Sequence, residues 1–292
     1  MAYTSIYAQD LFADQVIVIT GGGSGLGRCT AHELAHLGAH VVITGRSQDK
    51  LDTVVAEITE DGGSVSSHAF DIRDEPAVSA AISAILAEHG KIDGLVNNAG
   101  GQYKSPLKDV STKGFEAVVR NNLTGGFIMM RETVNQWMAQ NGGSIVNIIA
   151  DIWHGWPGMG HSGAARGGML TLTETAACEW AEFGVRVNAL APGGIASSGF
   201  DTYTEADNVF FRDQAVPVIP LRRFGTEAEI SAGIVYLLSP AAAYVTGSVL
   251  RVDGGTPNWR GGWPLQGSNN TAPFKGFHRS TAPAVLEGTN LA

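Results

Sequence analysis

The sequence is poor in cysteine and in long apolar runs, and each shortage excludes a class of protein. Its 292 residues include two cysteines, Cys29 and Cys178. Because each lies in a separate predicted helix, they form neither a disulfide framework nor a Cys-x-x-Cys metal site, and we expect buried thiols in a reducing compartment. No apolar stretch reaches membrane-spanning length, and no basic region followed by an apolar one opens the chain. The sequence therefore predicts a cytoplasmic protein with no membrane span.

Positive charge is also scarce. The chain has 19 Lys and Arg against 28 Asp and Glu, a net charge of -9. Binding to a nucleic-acid backbone requires a clustered basic face, so we expect no nucleic-acid partner. We expect no metal site either, because Asp151 with His154 does not amount to a ligand set.

What the chain has instead is a glycine-rich turn between a strand and a helix. Residues 16–19 form an apolar, β-branched run, residues 20–27 read TGGGSGLG, and a helical pattern covers 28–37. Glycine accepts positive φ and lets backbone N–H groups approach a pyrophosphate at a helix N-terminus. The residues expected to hold this phosphate are Gly21, Gly23, Ser24, Gly25, Leu26 and Gly27.

Strands and helices then alternate along the chain. Predicted strands lie at 16–19, 41–44, 64–70, 92–96, 144–150, 185–191 and 248–252. Parallel strands need crossover helices, so the pattern predicts an α/β fold, a single Rossmann-type doubly wound parallel sheet of seven strands flanked by helices. The helix over 112–138 is expected to break at 124–126, and 201–215 looks like a lid.

The predicted organisation is one nucleotide-binding domain, residues 1–255, followed by an aromatic and glycine-rich tail, residues 256–292. The tail cannot form a core alone. It must therefore drape over the domain, reach a neighbouring subunit or fray.

The end of the second strand indicates which nucleotide binds. An NAD-binding fold places an acidic residue there, whereas this chain has Gly45-Arg46-Ser47. A guanidinium suits the 2′-phosphate of NADP, so Arg46 and Ser47 predict NADP as cofactor. Asp71 and Ile72, after the third strand, are expected to contact adenine. The alternatives are that Arg46 is an ordinary surface arginine and that Asp71 is a solvated loop aspartate.

Further motifs resemble those of the short-chain dehydrogenase/reductase family. They are the glycine turn, residues 97–100 (NNAG), Asn122 within 121–124 (NNLT), and residues 192–195 (PGGI), and the resemblance covers about residues 11–255. It implies that Asn98, Gly100, Pro192, Gly193 and Ile195 flank a nicotinamide. It also implies that Asn122 supports the active site, and that the protein is a homodimer or homotetramer.

The chain departs from this family at its catalytic signature, a serine followed by Tyr-x-x-x-Lys. By register, Ser162 stands at the Tyr position, Arg166 at the Lys position and Ala150 at the serine position, with Asp151 beside it. Through residues 161–166 (HSGAAR), 98–103 (NAGGQY) and 144–149 (SIVNII), the chain is similar to peroxisomal trans-2-enoyl-CoA reductase and less similar to the 2,4-dienoyl-CoA reductases, which also lack the Tyr-x-x-x-Lys pair. That resemblance implies NADPH-dependent reduction of a C=C bond conjugated to a thioester, with an acyl thioester or another small molecule as substrate. Ser162 and Arg166 are then catalytic, and Arg166 also contacts the cofactor.

Several alternatives remain open at this point. His161 is either a proton donor or a structural residue, and His154 is a weaker candidate. Tyr103, Trp153 and Trp156 either line an acyl channel or pack loops. The protein could instead be an alcohol or ketone oxidoreductase of lipid or terpenoid catabolism, or a nucleotide-binding protein without catalytic activity.

Overall fold

The computed structural model describes residues 2–202, 204–259, 261–267 and 270–286. Within them, seven parallel strands form one sheet, in the order β3-β2-β1-β4-β5-β6-β9. The sheet consists of β1 (Val16–Thr20), β2 (His40–Gly45), β3 (Ser64–Ala69), β4 (Gly94–Asn97), β5 (Gly143–Ile148), β6 (Val185–Pro192) and β9 (Val249–Val252). A separate two-stranded pair, which the sequence did not predict, joins β7 (Ile195–Ala196) to β8 (Gly225–Thr226).

Helices cover both faces of the sheet. They are α1 (Gly25–His36), α2 (Gln48–Glu60), α3 (Glu75–His89), α4 (Thr112–Val119), α5 (Gly125–Thr133), α6 (Ala139–Asn141), α7 (Gly160–Glu179), α8 (Glu205–Phe210) and α9 (Glu227–Leu238). One apolar core joins the sheet to α1, α2 and α9, and includes Leu34, Leu51 and Ile234. The other joins it to α3, α5 and α7, and includes Ile82, Met129 and Met169. The predicted doubly wound fold is confirmed.

The strand order reverses between β1 and β4, which both pair in parallel with their neighbours. In open α/β sheets, a crevice forms at this reversal, outside the carboxyl ends of the strands. The glycine turn follows β1 and the NNAG motif follows β4, so both motifs lie at this edge.

Two predictions about helices and thiols are wrong. The chain does not break at 124–126, because α4 continues through a π turn (Arg120–Thr124) into α5, and a second π turn (Val134–Met138) leads into α6. The glycines there serve packing: a Cβ on Gly125 would lie 2.7 Å from Ile72, and one on Gly126 would lie 2.6 Å from Met169. Cys29 is buried as expected, but Cys178 is exposed, because it lies on the outer side of α7.

The described part of the tail drapes over the domain, and Phe277 within it is only 4% exposed. None of the helices in the described ranges is both long and apolar enough to cross a membrane. The described residues contain no cluster of three His, Cys, Asp or Glu side chains suited to a metal ion.

Candidate active site

The glycine turn is a tight cradle between β1 and α1. Gly21 and Gly25 have φ of 68° and 53°, a region that side chains other than glycine rarely adopt. A Cβ on Gly27 would lie 2.3 Å from Gly21 O and 2.5 Å from Asn98 Nδ2. Ser24, the N-cap of α1, makes no capping bond with its side chain. The turn therefore presents free backbone groups and a hydroxyl at a helix N-terminus, which suits a pyrophosphate.

Asn98, which directly follows β4, supports this turn through hydrogen bonds. Its Nδ2 donates to Thr20 O at 2.9 Å and to Gly21 O at 3.3 Å. In return, Thr20 Oγ1 accepts from the N–H groups of Asn98 and Ala99 at 3.0 and 2.9 Å. Asn98 thus shapes the cradle through its amide, at the position where the resemblance implied contact with the nicotinamide.

The predicted adenosine contacts lie after β2 and β3. Arg46 is exposed, and no hydrogen bond or ion pair between described residues engages its guanidinium. Ser47 is the N-cap of α2, and its side chain makes no capping bond either. Asp71 accepts from Arg73 Nε and Nη2. Hydrogen bonds from Arg73 lower the pKa of Asp71 to about 2, and the nearby charge of Arg46 adds to the effect.

Ile72, next to Asp71, is 7% exposed and packs against Gly125 in the core. Its side chain is therefore a packing element. Arg73, which pairs with Asp71 at the predicted adenosine contacts, is a residue that sequence reasoning missed. The spacing of two residues between Asp71 and Arg73 was the available signal.

Ser162 and Arg166 lie one turn apart on α7, and both are buried. Ser162 Oγ donates to Gln102 Oε1 at 3.4 Å. Arg166 Nη1 donates to Ile148 O, the last residue of β5, at 2.5 Å. Burial lowers the pKa of Arg166 to about 10, so the guanidinium still carries its charge at neutral pH.

Asn122 lies in the π turn between α4 and α5 and is 2% exposed. Its Oδ1 accepts from Gly101 N at 3.0 Å, and its Nδ2 donates to Gly101 O at 2.7 Å. A Cβ on Gly100 would lie 2.6 Å from Asn122 Oδ1 and 2.3 Å from Arg166 Nη2. The structure thus brings Asn122, Gly100 and Arg166 into one contact group.

His161 is fully buried beside Ser162. Its Nδ1 accepts from the Ser162 backbone N–H at 2.8 Å. A neutral imidazole whose Nδ1 accepts carries its proton on Nε2, and this buried Nε2 has no hydrogen-bond partner among the described residues. The Tyr103 ring meets the imidazole edge-on, with centroids 4.5 Å apart. His154, by contrast, is exposed, with φ of 68°.

The PGGI motif begins at Pro192, the last residue of β6. Gly193 N donates to Val252 O at 3.0 Å, and a Cβ on Gly193 would lie 2.7 Å from Asp253 Cα. Pro192 and Ile195 are buried on either side. The Pro192–Gly193 segment is therefore pressed against the end of β9 at the same edge of the sheet.

Three polar residues near these motifs were not predicted as site residues. Gln102 follows the NNAG motif directly. The pKa of Asp151 is raised by burial and by the charge of Asp253, and one carboxylate oxygen of each has no hydrogen-bond partner in the described structure. Glu227, at the start of α9, is 7% exposed, and burial raises its pKa to about 7. Gln102 and Asp151 each had a signal in the sequence, since Gln102 follows a motif and Asp151 stands beside the serine position, whereas Glu227 had none.

The chain is similar to proteins of known name. Residues 21–257 match the sequence model of the family described as Enoyl-(Acyl carrier protein) reductase. A probable 2,4-dienoyl-CoA reductase [(2E)-enoyl-CoA-producing] of Bacillus subtilis is 35% identical over 258 residues, which are 86% of this chain and 99% of that protein.

Two solved structures share the fold. The citronellol catabolism dehydrogenase AtuB of Pseudomonas aeruginosa PAO1 is 56% identical, with a TM-score of 0.79, over 87% of this chain and all of that one. A candidate NAD(P)-dependent gluconate 5-dehydrogenase from Beutenbergia cavernae is 33% identical, with a TM-score of 0.80, over 86% of this chain and all of that one. It was solved with bound NADP at low occupancy.

Proposed function

Because the chain belongs to the short-chain dehydrogenase/reductase family, we propose that it is an oxidoreductase that uses NADPH to reduce a C=C bond conjugated to a thioester. The observation that carries this proposal is the group formed by the buried Ser162 and Arg166 with the exposed Gln102, which offers hydrogen-bond donors and a fixed cation. The 2,4-dienoyl-CoA reductase from Bacillus subtilis supports the same class of reaction.

The residues around the glycine turn fit a dinucleotide, since an added Cβ on Gly27 would fill the cradle. Residues 21–27 would hold the pyrophosphate, and the free guanidinium of Arg46, with Ser47, would hold a 2′-phosphate. Asp71 and Ile72 would border the adenine. Pro192, Gly193, Ile195, Asn98 and Gly100 would border the nicotinamide. When bound, the cofactor supplies a hydride.

Alcohol oxidation needs a base near the reacting hydroxyl, with a pKa close to the working pH. Arginine has no acceptor and stays protonated, and the Ser162 hydroxyl is engaged as a donor to Gln102. His161 Nδ1 already accepts from a backbone N–H, so the neutral imidazole offers a donor rather than a base. Arg166, Ser162 and His161 therefore suit reduction of a conjugated C=C bond better than oxidation of an alcohol.

Conjugate reduction places different demands on the site. As the hydride reaches the β-carbon, negative charge develops on the thioester oxygen, and fixed donors aimed at that oxygen lower the barrier. The Ser162–Gln102 contact is long, at 3.4 Å, so a substrate oxygen can take over the Ser162 hydrogen while the Gln102 amide donates beside it. Arg166 adds positive potential and would hold the nicotinamide ribose, and Asn122 keeps the neighbouring backbone in place.

The α-carbon must gain one proton to complete the reduction. Water is the source of this proton, because a neutral imidazole that gave up its Nε2 proton would be left as an imidazolate. His161 Nε2–H can instead donate a hydrogen bond to that water or to the substrate. One hydride and one proton then convert the enoyl thioester to the saturated thioester.

The test is NADPH oxidation with crotonyl-CoA and a longer enoyl-CoA, run beside NADP⁺ reduction with secondary alcohols. We expect turnover of the thioesters and poor turnover of the alcohols. Loss of one oxyanion donor costs about 10²-fold to 10³-fold in kcat. We therefore expect Ser162→Ala and Arg166→Ala each to lower kcat by about tenfold or more.

Thr171→Ala is the matched control, since its hydroxyl lies on the exposed side of the same helix. The proposal fails if alcohols turn over well and thioesters do not, or if both active-site variants match the control. Tight NADPH binding without either activity would indicate a nucleotide-binding protein.

A second candidate is favoured by the 56% identity to AtuB. In this case the protein would be an alcohol or ketone oxidoreductase of terpenoid catabolism, in which His161 and Ser162 replace the tyrosine. An assay of NADP⁺ reduction with citronellol as substrate tests this candidate. Turnover of citronellol that is lost in His161→Phe, with no activity on enoyl thioesters, would favour this candidate over the first.

A further inference from the structure

The residues after the family match are attached to the domain by specific contacts. The match ends at residue 257, and the described segment 270–286, here called the strap, lies on α1 and α2. The Arg28 guanidinium lies 5.1 Å from the centroid of the buried Phe277 ring. Arg279 donates to Glu60 and to Asp61, both at 2.8 Å. Aromatic burial and paired charges therefore hold the strap in place.

The strap is also bonded to the start of α9 through its backbone. Thr226 Oγ1 donates to Phe274 O at 2.7 Å, and Phe274 N donates to Glu229 Oε1 at 3.2 Å. Thr226 and Glu229 are the two members of the capping box of α9. The strap therefore shares its partners with the helix end that carries Glu227.

From α9 the strap reaches the glycine turn. Thr281 lines a cavity of about 250 Å³ together with residues 23–25, Ser198 and Glu227. A Cβ on Gly25 would lie 3.9 Å from Glu227 Oε1 and 4.0 Å from Ser198 Oγ, so these side chains are close to the turn. The cavity thus opens at the N-terminus of α1, beside the place proposed for the pyrophosphate.

The end of the strap contacts the predicted lid, residues 201–215, and the residues on either side of it. Ala284 N donates to Asp201 Oδ1 at 3.2 Å. Leu286 is 2% exposed and packs in an apolar cluster with Phe200 and Val216, which flank the lid on its two sides, and with Phe224. The strap therefore contacts both the glycine turn and the residues around the lid.

We propose that the strap is part of the cofactor site: it forms the outer wall beside the pyrophosphate of the dinucleotide and holds the lid against the domain. This inference rests on the proposed binding of NADP(H). A ligand enclosed by the strap leaves only when these contacts open, so the strap slows dissociation. Loosening it raises the dissociation rate more than it changes association.

The experiment measures NADPH dissociation from the full chain by stopped-flow fluorescence. Arg279→Ala removes the paired charges, and Leu286→Ala removes the lid contact. We expect dissociation to quicken about threefold to tenfold in Arg279→Ala and about tenfold or more in Leu286→Ala. Arg131→Ala is the matched control, because Arg131 also pairs with two carboxylates, Glu75 and Glu132, but on a distant helix.

Proteolysis provides a second readout, since NADPH should protect the strap in the wild type and less so in the variants. If the wild type does not bind NADPH, the proposed function fails with the inference. If the wild type binds and both variants release NADPH at the rate of Arg131→Ala, the strap inference alone is wrong. Thermal melting identifies an unfolded Leu286→Ala, in which case the Arg279→Ala rate decides.

Discussion

Arg166 carries a positive charge inside the protein at neutral pH, and no described carboxylate pairs with it. Burial alone lowers its pKa, to about 10, because the charged form loses solvation. Its described hydrogen bond is to the Ile148 carbonyl, which leaves the remaining donors of the guanidinium available. An unpaired buried cation is costly to keep. A bound anionic or polar group at this site would offset that cost.

Arg46 is expected to decide the choice of cofactor. Arg46→Ala should weaken NADPH binding about tenfold to a hundredfold and leave NADH binding nearly unchanged, because a charge-assisted hydrogen bond contributes about 1.5–3 kcal/mol. Dissociation constants for both cofactors measure this, with Arg46→Lys as the variant that keeps the charge. Equal binding of the two cofactors by the wild type would contradict the NADP assignment.

Glu227 is expected to make stability depend on pH. Burial raises its pKa from 4.5 to about 7, so the folded state binds this proton more tightly than the unfolded state does. The contribution of protonated Glu227 to the free energy of unfolding is complete at pH values below its unfolded pKa of 4.5, and it is lost as the pH rises through about 7. The free energy of unfolding of Glu227→Gln should therefore rise by about 1–3 kcal/mol relative to that of the wild type when the pH is raised from 5 to 8.

Urea unfolding at the two pH values measures this difference. Glu174→Gln on the exposed side of α7 is the control. An equal difference between Glu227→Gln and wild type at both pH values would show that Glu227 does not titrate in this range.

At the scale of elements, the start of α9 joins helix stability to the strap. Thr226 accepts from Glu229 N at 3.2 Å, and Glu229 accepts from Thr226 N at 2.9 Å, so each satisfies a backbone donor of the other. Thr226 also holds the strap through Phe274 O. The same hydroxyl therefore serves two elements.

Thr226→Ala should lower the free energy of unfolding by about 1–2 kcal/mol, since it removes both the cap and the strap contact. Ser111→Ala is the comparison, because Ser111 caps α4 through one bond to Gly114 N. We expect a smaller loss there, about 1 kcal/mol. Chemical denaturation measures both, and an equal or smaller loss in Thr226→Ala would contradict the double role.

At the scale of the whole molecule, we predict a homo-oligomer, a dimer or tetramer. The continuous helix through α4 and α5 and the helix α7 pack against each other on one face of the sheet, and their buried residues cover only part of each circumference. The faces turned away from the sheet are available to a second copy. Light scattering at assay concentration measures the mass, and a monomer there would refute the prediction. The cytoplasmic location also stays a prediction.

Most of the fold was predictable because local patterns and the crossover rule act together. Short β-branched runs separated by helical repeats allow few arrangements other than a parallel sheet, and the chain adopts the doubly wound one. Local signals failed at residues 124–126, where two glycines predicted a break. Those glycines are needed for contact with Ile72 and Met169, which lie far away in the sequence.

Some features of the candidate site follow from the sequence, and others depend on the tertiary structure. The sequence by itself determined which residue types follow each strand, including Ser162 and Arg166 at the Tyr and Lys positions and Arg46 in place of an acid. Only the tertiary structure decided that Gln102 meets Ser162, that Asp151 lies near Asp253, and that the strap contacts both the glycine turn and the residues around the predicted lid. Such pairs are set by packing between distant segments, and the burial that shifts a pKa exists only once those segments have met.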